Sequence, residues 1–216
     1  MSKNLLPYAT FSRLRMTTDG QGVTSLVASF GCPLRCRLCI NAYAQSIPEN
    51  CNRISCEELY EMTKIDHLYF LATGGGLTFG GGESLLYADF IAEFAQLYPN
   101  GWKLNVETAL QVERRNIETV IPVVHTYIID IKTLDPYIYK TYTGGDITRM
   151  LDNLDFLRSQ VDIQRMHIRV PLIPELKTKE MQAKEAEQLR QMGFTNIDCF
   201  TYVNPDEYHK KQKKQR

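Results

Sequence analysis

The sequence predicts an α/β fold, a partial barrel of six parallel strands in one domain. Three observations predict it. Short β-rich runs alternate with glycine-rich or polar loops and then with amphipathic stretches of helical period, the pattern of parallel strands joined by right-handed crossovers. Six such units follow one another, too few to close an eight-stranded barrel and enough for an open one. The residues least suited to packing, namely cysteines, carboxylates, a lysine and an arginine, gather toward the carboxyl ends of the runs, where parallel barrels build their sites.

The predicted strands are, in order, Val23–Phe30, Gly76–Phe79, Lys103–Thr108, Thr126–Lys132, His167–Ile173 and Asn196–Val203. Between them, the helix Ser55–Thr63 opens with Ser55 and Glu58 at capping-box spacing. Leu86–Leu97 puts Phe90, Phe94 and Leu97 on one face and stops at Pro99-Asn100-Gly101. Glu113–Ile121, Ile147–Arg158 and Lys179–Met192 complete the helices, the last ended by Gly193. No linker or repeat divides the 216 residues. Residues 1–208 are expected to form the single domain, and the basic stretch 209–216, HKKQKKQR, a solvated mobile tail.

With 25 Lys plus Arg against 25 Asp plus Glu, no overall charge draws the chain to nucleic acid or to an anionic membrane. The first residues hold no apolar run of signal-peptide length and no segment approaches a membrane span, so a cytoplasmic protein is expected. There the six cysteines are reduced thiols or metal ligands rather than disulfides.

Three of them, Cys32, Cys36 and Cys39 in SFGCPLRCRLCIN, stand together with no fourth in reach. A structural zinc site is closed by four ligands, so zinc fits this spacing poorly. A cubane iron–sulfur cluster held by three thiolates leaves one iron exposed, a place to bind and activate a small molecule. Around it the predicted topology gathers Gly80–Glu83 after the second strand, Glu107 and Thr108 ending the third, Asp130–Lys132 ending the fourth, and Arg169 on the fifth. The glycines are neither a phosphate loop, since no Lys-Ser/Thr follows them, nor a dinucleotide fingerprint.

The spacing Cys32-x3-Cys36-x2-Cys39 resembles that of radical S-adenosylmethionine (SAM) enzymes. DGQGV (19–23), GGGLTFGGGESLL (74–86), IIDIKTLD (128–135) and HIRVPLIP (167–174) resemble one branch of them, the glycyl radical enzyme activases of the pyruvate formate-lyase activating type. The resemblance implies a radical SAM core of partial TIM-like barrel fold, and a 4Fe-4S cluster on Cys32, Cys36 and Cys39. It also implies SAM on the open iron, cleaved after one-electron reduction to a 5′-deoxyadenosyl radical. It implies further that the backbone of Gly81, Gly82 and Glu83 receives the ammonium group of SAM, and that Glu107, Thr108, Asn41, Asp130 and Lys132 line the cofactor. Lys132 and Arg169, oriented by Asp130, would form the catalytic set. The implied partners are a glycyl radical enzyme, which gives up a hydrogen atom from a backbone glycine, and an external one-electron donor such as flavodoxin or ferredoxin.

Asp19, Gly20 and Gly22 match a turn that borders the site in those activases. One cluster is expected, because Cys51, Cys56 and Cys199 lack cluster spacing and Ile40 to Ile54 is too short for a ferredoxin-like insert. Thr24 stands where activases often carry Arg, and Val203 where well-studied members place a His. Two alternatives therefore stay open: a radical SAM enzyme acting on a peptide or a small heterocycle, and an iron–sulfur binding module without catalysis.

Overall fold

The structure, a computed structural model, describes residues 4–16, 18–98 and 101–202. Among them one sheet contains β1 Leu6–Met16, β2 Val23–Ser29, β3 Arg53–Ile54, β4 Gly76–Gly81, β5 Lys103–Thr108, β6 Thr126–Asp130, β7 Met166–Leu172 and β8 Ile197–Thr201. Their spatial order is β3-β1-β2-β4-β5-β6-β7-β8, and the two end strands do not pair. Strands β2 and β4 to β8 are mutually parallel and correspond to the six predicted runs. The helices are α1 Cys56–Thr63, α2 His67–Thr73, α3 Ala88–Phe94, α4 Arg114–Val120, α5 Pro136–Thr143, α6 Ile147–Gln160 and α7 Lys179–Gln191. No described helix is long and apolar enough to cross a membrane.

The differences from expectation have local causes. Strand β1 runs antiparallel to β2 with register shifts between Tyr8 and Thr10 and between Ser12 and Arg15, and Leu14 takes φ +54°. Such bulges erase the two-residue alternation by which a strand is read from sequence. The stretch expected as one helix, Leu86–Leu97, is a 3₁₀ turn over Ser84–Tyr87 followed by α3. Strand β6 ends at Asp130, so Lys132 lies in the loop beyond it. Val203, the stop at Pro99-Asn100 and the tail 209–216 lie outside the described residues.

Alternation gives the sheet two unlike faces. One row, including Val27, Leu77, Phe79, Leu104, Val106, Tyr127, Ile129, Ile168 and Val170, is buried in the main hydrophobic cluster with the helices. Phe79, for instance, meets Phe90 and Phe94 of α3 edge-on at 6.3 and 5.8 Å. The other row carries Thr78 opposite Asn105 and Asp130 opposite Arg169, with Glu107 between them. The Asp19 turn covers the lower part of this inner face, its carbonyl accepting from the Thr78 hydroxyl and, at 3.4 Å, from the Asn105 amide.

At the upper end, β4 is pressed against the start of the cysteine loop. Gly82 N donates to Ser29 O at 2.9 Å and Glu83 N to Gly31 O at 2.8 Å. A Cβ on Gly82 would fall 2.1 Å from the Gly31 carbonyl oxygen, so only glycine permits the approach. Gly144, which caps α5 at φ +72°, has nothing within 4 Å of such an atom. Gly144→Ala is therefore expected to lose only the roughly 1–2 kcal/mol of a left-handed backbone. Gly82→Ala should lose about 3 kcal/mol or more by overpacking. Urea unfolding of the ligand-free protein measures both, and equal losses would contradict the close approach.

Candidate active site

The cysteine loop between β2 and β3 is fastened on three sides. Gly31 N and Cys32 N donate to Ala44 O (2.8 Å) and Gln45 O (3.0 Å), and Glu83 N donates to Gly31 O. On the third side Arg35 N and Arg37 N donate to Thr143 O (2.7 Å) and Tyr142 O (3.1 Å) in the last turn of α5. Leu34 is buried, and Cys32, Cys36 and Cys39 are each half-buried. Among the described residues no three His, Cys, Asp or Glu lie close enough to share one metal ion. Burial pushes the Cys32 thiol up to about 12, with Glu83 adding to the rise. Burial also pushes Cys36 up to about 11, although Lys132 draws it down. Both are neutral thiols at pH 7 in the absence of metal, so loading a cluster must release their protons.

Above the inner face lies a line of paired charges. Asp130 Oδ2 is 3.2 Å from Lys132 Nζ, and Asp130 Oδ1 is 3.4 Å from Arg169 Nε. Arg169 Nη1 donates to Glu107 Oε1 at 3.0 Å. Burial alone would raise the Asp130 carboxyl, but Lys132 and Arg169 outweigh it and hold the group below its ordinary range. Burial likewise opposes the charge on Lys132, and Asp130 reverses this and carries its pKa well above the ordinary value. Glu107 shows the opposite balance. Burial lifts its carboxyl to about 7 against the pull of Arg169, and Asp19 and Asp130 add repulsion.

Strand β8 supplies the wall. Lys132 Nζ donates to the Tyr202 hydroxyl just past that strand at 3.1 Å, and the Arg169 guanidinium lies 5.4 Å from the centre of the Phe200 ring. From behind, Lys177 Nζ donates to Lys132 O at 3.3 Å and pairs with Glu185 of α7. Glu185 in turn accepts from Thr133 Oγ1 and, at 2.8 Å, from Leu134 N. The loop carrying Lys132 is thus held by a buried ion pair.

Glu83 turns its side chain inward. Its carboxylate accepts from Thr108 Oγ1 (2.7 Å), Ala109 N (2.9 Å) and Leu85 N (3.2 Å), and it is 1% exposed. Burial raises its pKa against those three bonds. The Thr108 hydroxyl also accepts from Leu110 N at 2.9 Å, so it serves the loop after β5. Asn41 donates from its side-chain amide to Gly81 O at 3.3 Å and ties the end of the cysteine loop to the glycine stretch.

Asn41, the three cysteines, Gly80–Glu83, Glu107, Thr108, Asp130, Lys132 and Arg169 therefore lie at the upper end of the sheet, on the cysteine loop or on strands β4 to β7 and the loops that follow them. The Asp19–Gly22 turn lies lower, against the strand centres. Tyr202, Lys177, Glu185, Tyr139 and Tyr142 were not nominated. Asp135 as N-cap, Pro136 at the first turn and Gly144 as a left-handed C-cap were readable signals for α5. Nothing in local spacing announces the Lys177–Glu185 contact with the Lys132 loop.

Three half-buried thiols facing an inner row of paired charges, in an otherwise apolar fold, suit a cluster with a zwitterionic ligand on it. Residues 26–183 match the model of the Radical SAM superfamily. The chain belongs to that family. Radical SAM proteins use a 4Fe-4S cluster and SAM. Among curated relatives, the (2S)-3-sulfopropanediol dehydratase activating enzyme of Klebsiella oxytoca is 34% identical over 122 residues, 56% of this chain and 38% of that one. The pyruvate formate-lyase-activating enzyme of Staphylococcus aureus (strain USA300) is 31% identical over 166 residues, 73% of this chain and 65% of that one. This radical SAM chain spans less than two thirds of either relative. The solved structure of Streptococcus suis SuiB bound to S-adenosylmethionine shares its fold, with a TM-score of 0.64 at 14% identity over 82% of this chain and 40% of that one.

Because the folded pKa of Glu107 lies above its ordinary 4.5, its contribution to stability is complete below about 4.5 and is lost as pH rises through about 7. Glu107→Gln removes that titration. In the ligand-free protein the variant should gain stability relative to wild type between pH 5 and pH 7.5, read by urea unfolding at both. A stability difference independent of pH would contradict the burial argument.

Proposed function

We propose that this radical SAM chain is a cytoplasmic activating enzyme that takes a hydrogen atom from a backbone glycine of a partner, a glycyl radical enzyme. The observation that carries the reading is that relatives at 34% and 31% identity are named as activating enzymes. Cys32, Cys36 and Cys39 would hold the cluster, and the reduced cluster with SAM, when bound, supplies the 5′-deoxyadenosyl radical that accepts the hydrogen atom.

The chain's own residues have separable tasks in this reading. The backbone of Gly81, Gly82 and Glu83, braced by Ser29, Gly31 and Asn41, would receive the ammonium end of SAM. Lys132 and Arg169 would face its carboxylate. Asp130, and Glu107 when it is ionised, offset their charges, and the zwitterionic amino-acid end of SAM would add no net charge of its own. Phe200 and Tyr202 would keep water from the cations on the β8 side. The unpaired ends of the sheet leave the inner face laterally open, which suits a glycine-bearing peptide loop better than a closed barrel would. An electron must come from an external one-electron donor, such as flavodoxin or ferredoxin.

The test is anaerobic. Reconstituted with iron and sulfide, reduced and given SAM, the wild type should form 5′-deoxyadenosine and Cys36→Ala should stay at background. With a glycyl radical enzyme added, a glycine-centred radical should appear by electron paramagnetic resonance, its splitting collapsing when the partner carries deuterated glycine. Formation of 5′-deoxyadenosine with no such radical would assign the hydrogen donor elsewhere and overturn the activase reading.

A further inference from the structure

Helix α5 lies against the cysteine loop in a way that the activity above does not use. Its last two carbonyls, Tyr142 O and Thr143 O, accept from Arg37 N and Arg35 N, the two residues that flank Cys36. Tyr139 and Tyr142 stand three apart and so share one face of α5. Both are fully buried, at 1% and 0% exposed. Gly145, just beyond the helix, is close to both Leu34 of the cysteine loop and the Tyr139 ring. The buried tyrosine face is therefore the face that meets the loop around Cys36.

No described polar atom lies within 3.5 Å hydrogen-bonding geometry of either hydroxyl, the nearest candidates being Gln111 beside Tyr139 and Tyr202 beside Tyr142. Those two neighbours make closer bonds to other groups, the Gln111 amide donating to Asp146 O and the Tyr202 hydroxyl accepting from Lys132 at 3.1 Å. A buried O–H with no acceptor is unfavourable, and native proteins seldom keep one unless a group absent from the chain completes it. The Cys36 side chain is near enough to act on both phenols electrostatically when it is ionised, and burial lifts both far above the usual tyrosine range. They stay protonated, and so remain donors, at any working pH.

We propose that Tyr139 and Tyr142 donate their hydroxyl hydrogens to the sulfur of the cluster on the Cys36 side, and so raise its reduction potential. The inference rests on the reading that Cys32, Cys36 and Cys39 hold a cluster. Hydrogen bonds to cluster sulfur stabilise the more negative, reduced state, making the single electron from the external donor easier to accept. The two tyrosines are positioning residues that act through the cluster and touch no substrate.

Tyr139→Phe, Tyr142→Phe and the double variant keep the rings and delete only the oxygens. Two measurements on each separate the outcomes. In the ligand-free protein, where no described group lies within 3.5 Å hydrogen-bonding geometry of either hydroxyl, the melting temperature should be unchanged or higher than wild type. After anaerobic reconstitution, with iron and sulfide content equal to wild type, the midpoint of the cluster's one-electron reduction should move negative. Removing one such bond should weaken reduction by on the order of tenfold, about 59 mV for one electron. The midpoint is read by redox titration followed by electron paramagnetic resonance. An unmoved midpoint at full cluster content, or a clear loss of stability in the ligand-free variants, overturns the inference. Failure of the wild type itself to take up iron and sulfide overturns the cluster reading, and this inference with it.

Discussion

Two cations, Lys132 and Arg169, share one carboxylate, Asp130, on the inner face of the sheet. Lys132 is almost fully buried and Arg169 is three-quarters so. Burying either charge without a counter-ion would be strongly unfavourable, and a lysine so placed would surrender its proton. Asp130 can serve both because β6 and β7 pair in register, which sets it directly opposite Arg169, while Lys132 returns to it from two residues further along. Glu107 on β5 accepts from Arg169 Nη1. The charges of the site are thus assembled by strand register before any ligand arrives.

That assembly needs a sheet that is apolar on one side only. The outer row packs under helices as an ordinary α/β core, and its burial holds the strands in place. The inner row is kept from becoming a second core by its composition, with Thr78, Asn105, Glu107, Asp130 and Arg169 along neighbouring strands. A closed barrel of this size would fill its interior with packed side chains. Among the described residues β3 and β8 do not pair with each other, which leaves that space for a ligand. The cysteine loop closes the upper end, its height set by the contact of Gly82 with Gly31.

Much of this was legible in the sequence because strand ends carry the chemistry. The Cys32, Cys36 and Cys39 spacing and the positions of Glu107, Asp130, Lys132 and Arg169 all follow from counting along predicted strands. What escaped had competing local preferences. The stretch PYIYKTYT of α5 is rich in tyrosine, isoleucine and threonine, residues that favour strands, and its helix is imposed by Asp135, Pro136 and Gly144 at the ends. Strand β1 escaped because its bulges break the alternation. The sequence offers Glu83 for its backbone, whereas its side chain also accepts from Thr108 and Ala109, contacts across 25 and 26 residues that no spacing encodes.

In the proposed assignment three thiolates hold a cluster and its fourth iron is left for the amino-acid end of SAM, received on the charged inner face. Electron–nuclear double resonance of the reduced, cluster-loaded protein tests it most directly, with SAM carrying ¹⁵N in its amino group or ¹⁷O in its carboxylate. A hyperfine coupling between each label and the cluster is expected in wild type when SAM is bound. Tight binding of SAM with no coupling from either label would contradict it, because the fourth iron would then be held by some other group.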